Sequence, residues 1–318
     1  MVYDKKLPNT FKVDDILVSF DIGIKNLSVC MESVPAMKQP GTSLIYEKPI
    51  CWDVMNILDA PHSCTSSGCD LPSKWENEHG VVYCGRHKKQ GVTLTPMTPI
   101  YIRKVKEYTP FEIQTRLIRA LDKYPQIYDA DYIFIENQDD HNPMMKTIAS
   151  SVFTYYTKVL YTDPVTPKLK HIRYISAKQK TTKVPVIGGA YTSTKKGSYA
   201  KRKDTSIEYC TRYLGEYHQE RLSWFLTHRK KDDLADSYMM NKAALWQLQF
   251  DQVYPTLPLD RVISLCDHHS IPTKKENGRA YTRKQLLTAM KQMYIWVNPG
   301  NIVEEGKDGL HPTIGGIA

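Results

Sequence analysis

Carboxylates at two strand ends and one helix start, and one set of sulfur and nitrogen donors, are the side chains of this sequence placed for chemistry. Asp21 closes the apolar run "ILVSFD", Glu136 closes "YIFIE", and Asp233 and Asp236 lie three apart in "HRKKDDLADSYMM". An isolated carboxylate is costly to bury, so one at a strand end caps a turn, pairs with a cation or holds a metal. Carboxylates that face one another repel unless protons or divalent cations lie between them. A cluster of hard oxygen donors suits Mg²⁺ or Mn²⁺. Asp233 and Asp236 share a helical face, but so do Asp232 and Asp236, four apart, and spacing leaves both pairs open. One or two acids at a helix start also complement the helix dipole.

The second donor set lies in "HSCTSSGCDLPSKWENEHGVVYCGRHKK". Cys64 and Cys69 are five apart, and His87 follows Cys84 by three, the two-knuckle spacing of a structural Zn²⁺ site. The segment has little apolar content, so metal binding is its readiest source of folding energy. Cys64, Cys69, Cys84 and His87 are expected to form one tetrahedral set, with His62 and His79 as alternates for the fourth ligand. Four protein ligands leave no open position for catalysis.

These donors need elements to place them. Apolar residues on both sides of the "DIGIKN" turn predict a hairpin that starts the fold. After Pro110, Ile113, Leu117, Ile118 and Leu121 recur at helical spacing, followed by a strand in "ADYIFIENQ". Asn142 and Pro143 predict a helix start in "NPMMKTIASSVFTYYTKVLYTDP", and "KHIRYIS" reads as the next strand. A Gly/Lys/Ser-rich loop is expected over 179–202, then one helix from about Lys203 into Leu226 and another from near Asp232. A hairpin followed by strand and helix units predicts a mixed α/β sheet covered on both faces.

The 318-residue chain is 41% hydrophobic and carries a formal net charge of +9, which points to a polyanionic partner, nucleic acid foremost. No run approaches the roughly 18 apolar residues of a membrane span. The start "MVYDKKLPNTFKVDD" has no leader pattern, and seven scattered cysteines do not form a disulfide framework, so an intracellular, reducing compartment (cytoplasm or nucleus) is expected. Lys195, Lys196, Lys201, Arg202 and Lys203 punctuate the expected loop, and Lys178 and Lys180 follow "KHIRYIS"; such a stretch can track a phosphate backbone. Gly23 lets the first turn swing away so that Lys25 or Asn26 approaches a phosphate.

In order along the chain, "FDIGIKNLSV", "IFIENQ" and "DDLAD" resemble the three acidic motifs of the RuvC-like Holliday-junction resolvases in the ribonuclease H-like superfamily, closest to the poxvirus-type and large-DNA-virus branch. The resemblance covers residues 14–248. It implies a ribonuclease H-like five-stranded sheet and makes Asp21, Glu136, Asp233 and Asp236 the catalytic metal ligands, with two Mg²⁺ or Mn²⁺ per site and Asp232 outside them. It also implies a homodimer that nicks a four-way junction symmetrically by phosphodiester hydrolysis, in viral DNA processing at the replication site if the source is viral. Lys178 matches the position at which the family carries a lysine after the "KHIRYIS" strand, which makes it the preferred phosphate contact. The residues after Glu136, "NQDDHNPMM", lack the bacterial aromatic wedge, and the roles of Asp139 and Asp140 are open. His228 could assist proton transfer or merely cap. The apolar stripe Met145, Ile148, Val152 and Tyr156, beside small Ala149, Ser150 and Ser151, is a candidate dimer face or core.

Beyond Pro258, "LCDHHSIPT" and "TRKQLLTAM" resemble the SAP-type helix-extension-helix DNA-binding motif, which would place Lys274, Lys275, Arg283 and Lys284 on DNA. The expected division is a nuclease core over 1–60 and 91–253, a zinc-binding insertion over 61–90, a helical DNA-binding extension over 254–298 and a flexible tail over 299–318. Two rivals stay open: a nucleic-acid-binding module of the same fold without catalysis, and an actin- or Hsp70-like ATPase. The ATPase should carry further Gly-rich phosphate loops, and Gly188 and Gly189 do not match them.

Overall fold

Strand β1 (Ile16–Asp21) alternates side chains between two cores: Leu17 enters one buried cluster, while Val18 and Phe20 enter the other. A strand buried on both faces must lie inside a sheet, and in the computed structural model it does. The structure describes residues 12–37, 44–45, 47–58, 62–69, 71–91, 96–138, 141–160, 169–185, 187 and 191–293. Strands β2 (Asn26–Ser33), β3 (Cys51–Asn56), β4 (Tyr132–Asn137) and β5 (His171–Ser176) complete a five-stranded sheet in the order β5-β4-β1-β2-β3. β1 pairs antiparallel with β2 and parallel with β4; β3 is antiparallel to β2, and β5 parallel to β4. This is the expected mixed five-stranded α/β sheet.

The β1–β2 turn requires glycine at position 23, because a Cβ there would stand 2.5 Å from the Asn26 carbonyl oxygen. Helices α1 (Pro110–Leu121) and α2 (Pro143–Leu160) cover one face of the sheet. The first starts at a capping box, in which Thr109 Oγ1 accepts from the Glu112 amide and the Glu112 carboxylate accepts from the Thr109 amide. In α2, Ile148, Ala149, Val152 and Tyr156 are buried against the sheet. The stripe offered as a dimer face is therefore core, since a helix side that meets the sheet shows the same apolar period as one that meets a second chain.

The other face is built around α6. Helices α3 (Gln179–Thr182), α4 (Ser198–Tyr217), α5 (Gln219–Thr227) and α6 (Lys231–Leu248) follow β5. The expected loop over 179–202 thus holds one helical turn and the start of α4, and the single helix expected to Leu226 breaks at His218, whose backbone is non-helical. Composition misled here: Ala, Lys and Arg are strong helix formers, and only Gly197, at φ +83°, marks the boundary.

From Leu234 onward α6 is buried nearly all round, and polar contacts fix it to the sheet. Ser19 Oγ donates to the Ser237 carbonyl at 2.6 Å, Ser28 Oγ meets Ser237 Oγ at 2.8 Å, and Trp52 Nε1 donates to the Leu234 carbonyl at 3.0 Å. Farther along, Lys242 Nζ lies 2.7 Å from Glu32 Oε1, with both side chains buried. Helices α7 (Leu259–His268) and α8 (Arg283–Gln292) bury Val262, Cys266, Leu286 and Met290 in the cluster that holds α4 and α6. Residues 299–318, Asp139, Asp140, Gly188 and Gly189 lie outside the described residues.

Candidate active site

Sheet order brings the acidic residues together. Parallel neighbours β1 and β4 end side by side, so Asp21 and Glu136 emerge at the same edge, and the tethered N-terminal half of α6 carries Asp233 and Asp236 to it. All four line one cleft of about 570 Å³, with Lys25 and Asn26 from the β1–β2 turn, Lys178 and Lys180 beyond β5, and Tyr199, Arg202 and Lys203 from α4.

A lysine ammonium stands at the centre. Lys180 is buried and its Nζ lies 2.5 Å from Asp21 Oδ1, 2.8 Å from Glu136 Oε1 and 3.6 Å from Asp236 Oδ2. A second ammonium, on Lys203, lies 2.9 Å from both Asp232 Oδ2 and Asp233 Oδ1 and 3.8 Å from Asp236 Oδ2, while Lys230 Nζ is 3.3 Å from Asp233 Oδ2. The acidic residues therefore divide into an inner set on Lys180 and an outer set on Lys203. Asp236 belongs to both, and Asp232 is the most exposed.

The charge balance follows from burial. Desolvation pushes the Asp21 carboxyl well above the ordinary range; Lys180 pulls it back, and the Glu136 and Asp236 charges push it up again. Burial also works on Glu136, but the Lys180 charge, with hydrogen bonds from Lys180 and Gln138, holds it below its usual value. Burial disfavours the Lys180 ammonium, and Asp21, Asp236 and Glu136 together keep it well above the ordinary lysine range. Hard oxygens from four residues converging where cations already sit fit the donor set of Mg²⁺ or Mn²⁺.

Several residues expected on DNA have other roles. Lys203 is engaged by carboxylates and turned inward. Arg283 donates to the Leu257 carbonyl at 2.7 Å and the Pro255 carbonyl at 2.8 Å, holding the segment before α7 in place. A guanidinium offers five donors and satisfies bare carbonyls as readily as phosphates. His228 Nδ1 accepts from the Lys230 amide at 3.1 Å, a capping role outside the cleft lining. Lys25, Lys178, Lys195, Lys196, Lys201, Arg202, Lys274, Lys275 and Lys284 are exposed. The sequence reading passed over Lys230 and set Lys180 on the phosphate backbone with Lys178, whereas Lys180 is buried among Asp21, Glu136 and Asp236; it sits in a lysine-rich run where nothing local marks which ammonium turns inward.

The second donor set also assembles. The ligand atoms of Cys64, Cys69, Cys84 and His87 lie within 4.8 Å of one another, and His62 and His79 are outside the group. Cys69 and Cys84 sulfurs are 3.8 Å apart, and His87 Nδ1 lies 3.5 Å from Cys64 Sγ and 3.6 Å from Cys84 Sγ. A tetrahedral Zn²⁺ with ordinary bond lengths requires edges of roughly 3.8 Å between sulfurs and about 3.5 Å from sulfur to nitrogen. The set fits zinc. Burial pushes the Cys64 thiol up, but hydrogen bonds from Ser66, the Cys84 backbone and His87 outweigh it and hold it at about 6. Around the set run three short strands, Trp75–Asn77, Val82–Tyr83 and Met97–Pro99.

No family model matches the chain. It is 32% identical over 205 residues to an uncharacterized protein of Acanthamoeba polyphaga mimivirus, a match that covers 58% of this chain and 48% of the relative. The chain thus spans about half the length of the curated relative it matches. Among solved structures it is similar to the yeast mitochondrial Holliday junction resolvase Ydc2, at 14% identity and a TM-score of 0.43, over 78% of this chain and 86% of that one. It is also similar to the fowlpox virus resolvase, solved in complex with its substrate Holliday junction DNA, at 14% identity and a TM-score of 0.37, over 73% and 98% of the two chains. The figures for Thermus thermophilus RuvC are 10% and 0.36, over 72% and 95%. Likeness at these scores carries no weight beside the sheet order and the carboxylate geometry. No helix among the described residues is long and apolar enough to cross a membrane.

Proposed function

We propose that this chain is a divalent-metal-dependent endonuclease that acts on branched DNA, four-way junctions foremost, and introduces paired symmetric nicks as a homodimer. The observation that carries this reading is the convergence of Asp21, Glu136 and Asp236, from three separate elements, on a single cation position 2.5 to 3.6 Å away. Mg²⁺ or Mn²⁺, two per site, would supply an activated water and neutralise charge on the attacking and leaving oxygens. Asp21, Glu136, Asp233 and Asp236 would hold those ions. Exposed Lys25 and Lys178, both lining the cleft, orient the scissile phosphate, and Lys195, Lys196, Lys201 and Arg202 follow the strand away from it. Lys274, Lys275 and Lys284 add phosphate contacts from the helical extension over 254–298.

The insertion over 61–90 is a structural zinc module. Seven free cysteines suit a reducing, intracellular setting, and the mimivirus relative suits the processing of viral DNA. Because the α2 stripe is core, the dimer must use another surface.

A second reading, a DNA-binding module that does not cleave, is favoured by one observation: the ammonium groups of Lys180 and Lys203 pair with the carboxylates and offset their charge. Incubation of labelled four-way junction, flap, RNA–DNA hybrid and plain duplex with Mg²⁺ or Mn²⁺ separates the two. Paired nicks at the junction are expected, and intact substrates under full binding would establish the non-cleaving module.

A further inference from the structure

Among the described residues, the cleft that gathers the carboxylates has one aromatic side chain in its lining, Tyr199, and that residue is 64% exposed. It stands on the first turn of α4, two residues after Gly197, in a turn that has no acidic side chain and that continues into Lys201 and Arg202. Lys203, held by Asp232 and Asp233, brings its ammonium to 5.7 Å from the ring centre. Single exposed aromatics are ordinary on protein surfaces. Other exposed aromatics of this chain have protein partners or lie elsewhere: Tyr101 donates to Glu107, Tyr174 stacks on Phe153, and Phe111 is outside the cleft lining. The Tyr199 side chain makes no hydrogen bond to the described residues; its ring has the Lys203 ammonium beside it and lines the carboxylate cleft.

An aromatic face with cations beside it is what a nucleic-acid base with an unoccupied π-face requires. In an intact duplex both faces of every base are stacked, so such a ring finds no partner there. At a branch point, or in a single strand, a base face is free. We propose that Tyr199 is a stacking platform for an unpaired base next to the scissile phosphate, with Arg202 and Lys201 on the adjoining backbone, and that it biases the enzyme toward branched over continuous duplex DNA. This rests on the nuclease reading above and deepens it by naming a residue that selects the substrate class. Tyr199 positions the DNA and takes no part in the hydrolysis.

The test is the binding of a four-way junction with 2-aminopurine at the branch point, compared with a single strand and a plain duplex, in EDTA so that nothing is cut. The wild type, Tyr199→Phe and Tyr199→Trp should change the fluorescence of the reporter alike on binding. Tyr199→Ala should abolish that change and weaken junction and single-strand affinity about tenfold, the scale of one lost base stack, with duplex affinity within about twofold of the wild type. Because the side chain is exposed, the truncation removes no core contact. Wild-type fluorescence and affinity in Tyr199→Ala, or an equal loss on duplex, would overturn the stacking role. A parallel Mg²⁺ cleavage assay on the wild type separates the two failures: junction cleavage with an indifferent Tyr199 leaves the nuclease standing, whereas absent cleavage in the wild type removes the nuclease reading itself.

Discussion

Asp21, Glu136 and Asp236 stand on elements that bury large side chains on both faces of a five-stranded sheet, whereas Cys64, Cys69, Cys84 and His87 stand in turns and irregular segments beside short strands, with few buried partners. Among the described residues of the insertion, only Cys64, Ser73, Val82 and Cys84 are buried, and two of the four are metal donors. Both clusters are suited to cations, but the dependence runs in opposite directions. The scaffold holds the carboxylates in place and brings its own ammonium ions to offset their repulsion. At the thiol cluster the ion would hold the scaffold. A hard-donor site can therefore exchange its ion during turnover, while a soft-donor site that exchanged its ion would lose its shape.

The sharpest way to break this contrast is to remove the internal ammonium. Lys180→Met leaves Asp21, Glu136 and Asp236 without their shared cation, and breaking such a buried pair costs about 3–5 kcal/mol. The midpoint of denaturant unfolding in EDTA should fall accordingly and recover in part with Mg²⁺; an unchanged midpoint would mean that Lys180 does not hold the cluster. Next in size, Asp21→Asn, Glu136→Gln and Asp236→Asn should each lower junction cleavage at least about a hundredfold. Gel-shift affinity should stay near wild type, because none of these changes removes a phosphate-binding cation. Turnover like that of the wild type in the first two would take the chemistry elsewhere.

A smaller effect on chemistry, with a larger one on local order, is expected at the insertion. Elemental analysis should find about one Zn²⁺ per chain, and Cys84→Ser should expose the amides of 62–91 to hydrogen exchange while cleavage changes by less than about threefold. Zinc-free protein with a fully protected insertion would erase the distinction. The smallest effect sorts the outer acids. Asp232, the more exposed partner of Lys203, should cost only severalfold on change to Asn, and Asp233 more, as read by Mg²⁺ titration of the cleavage rate. The reverse order would move the outer ligand from Asp233 to Asp232.

The strand-end positions of Asp21 and Glu136 and the sulfur spacing were legible because each depends on local pattern: an apolar run that ends in a carboxylate, and a pair of knuckles. What the sequence hid depends on what lies opposite. Lys180 and Lys203 look like any other lysines of a basic run until β1, β4 and α6 surround them, and Arg283 looks like a DNA contact until the carbonyls of 254–257 meet it. Ile148, Val152 and Tyr156 show a stripe whose period is the same for core and interface. The second helix pair reads correctly as helix, turn and helix, yet its packing into the α4 and α6 cluster has no signature in its own residues.

One contact far from the chemistry bears on its alignment. Lys242 and Glu32 form a buried pair six residues along α6 from Asp236, about 9 Å at the rise of an α-helix. If α6 slid by one turn, about 5.4 Å, the ammonium would leave Glu32 and two charges would be stranded in an apolar interior, while Asp236 left the cleft. The pair therefore acts as a ruler: it allows the helix a single register, and the distance from the ruler's mark to the carboxylates is fixed by covalent geometry. A slip that could be tolerated by the smooth apolar surface of Met239, Ala243 and Ala244 is penalised at a single charged tooth.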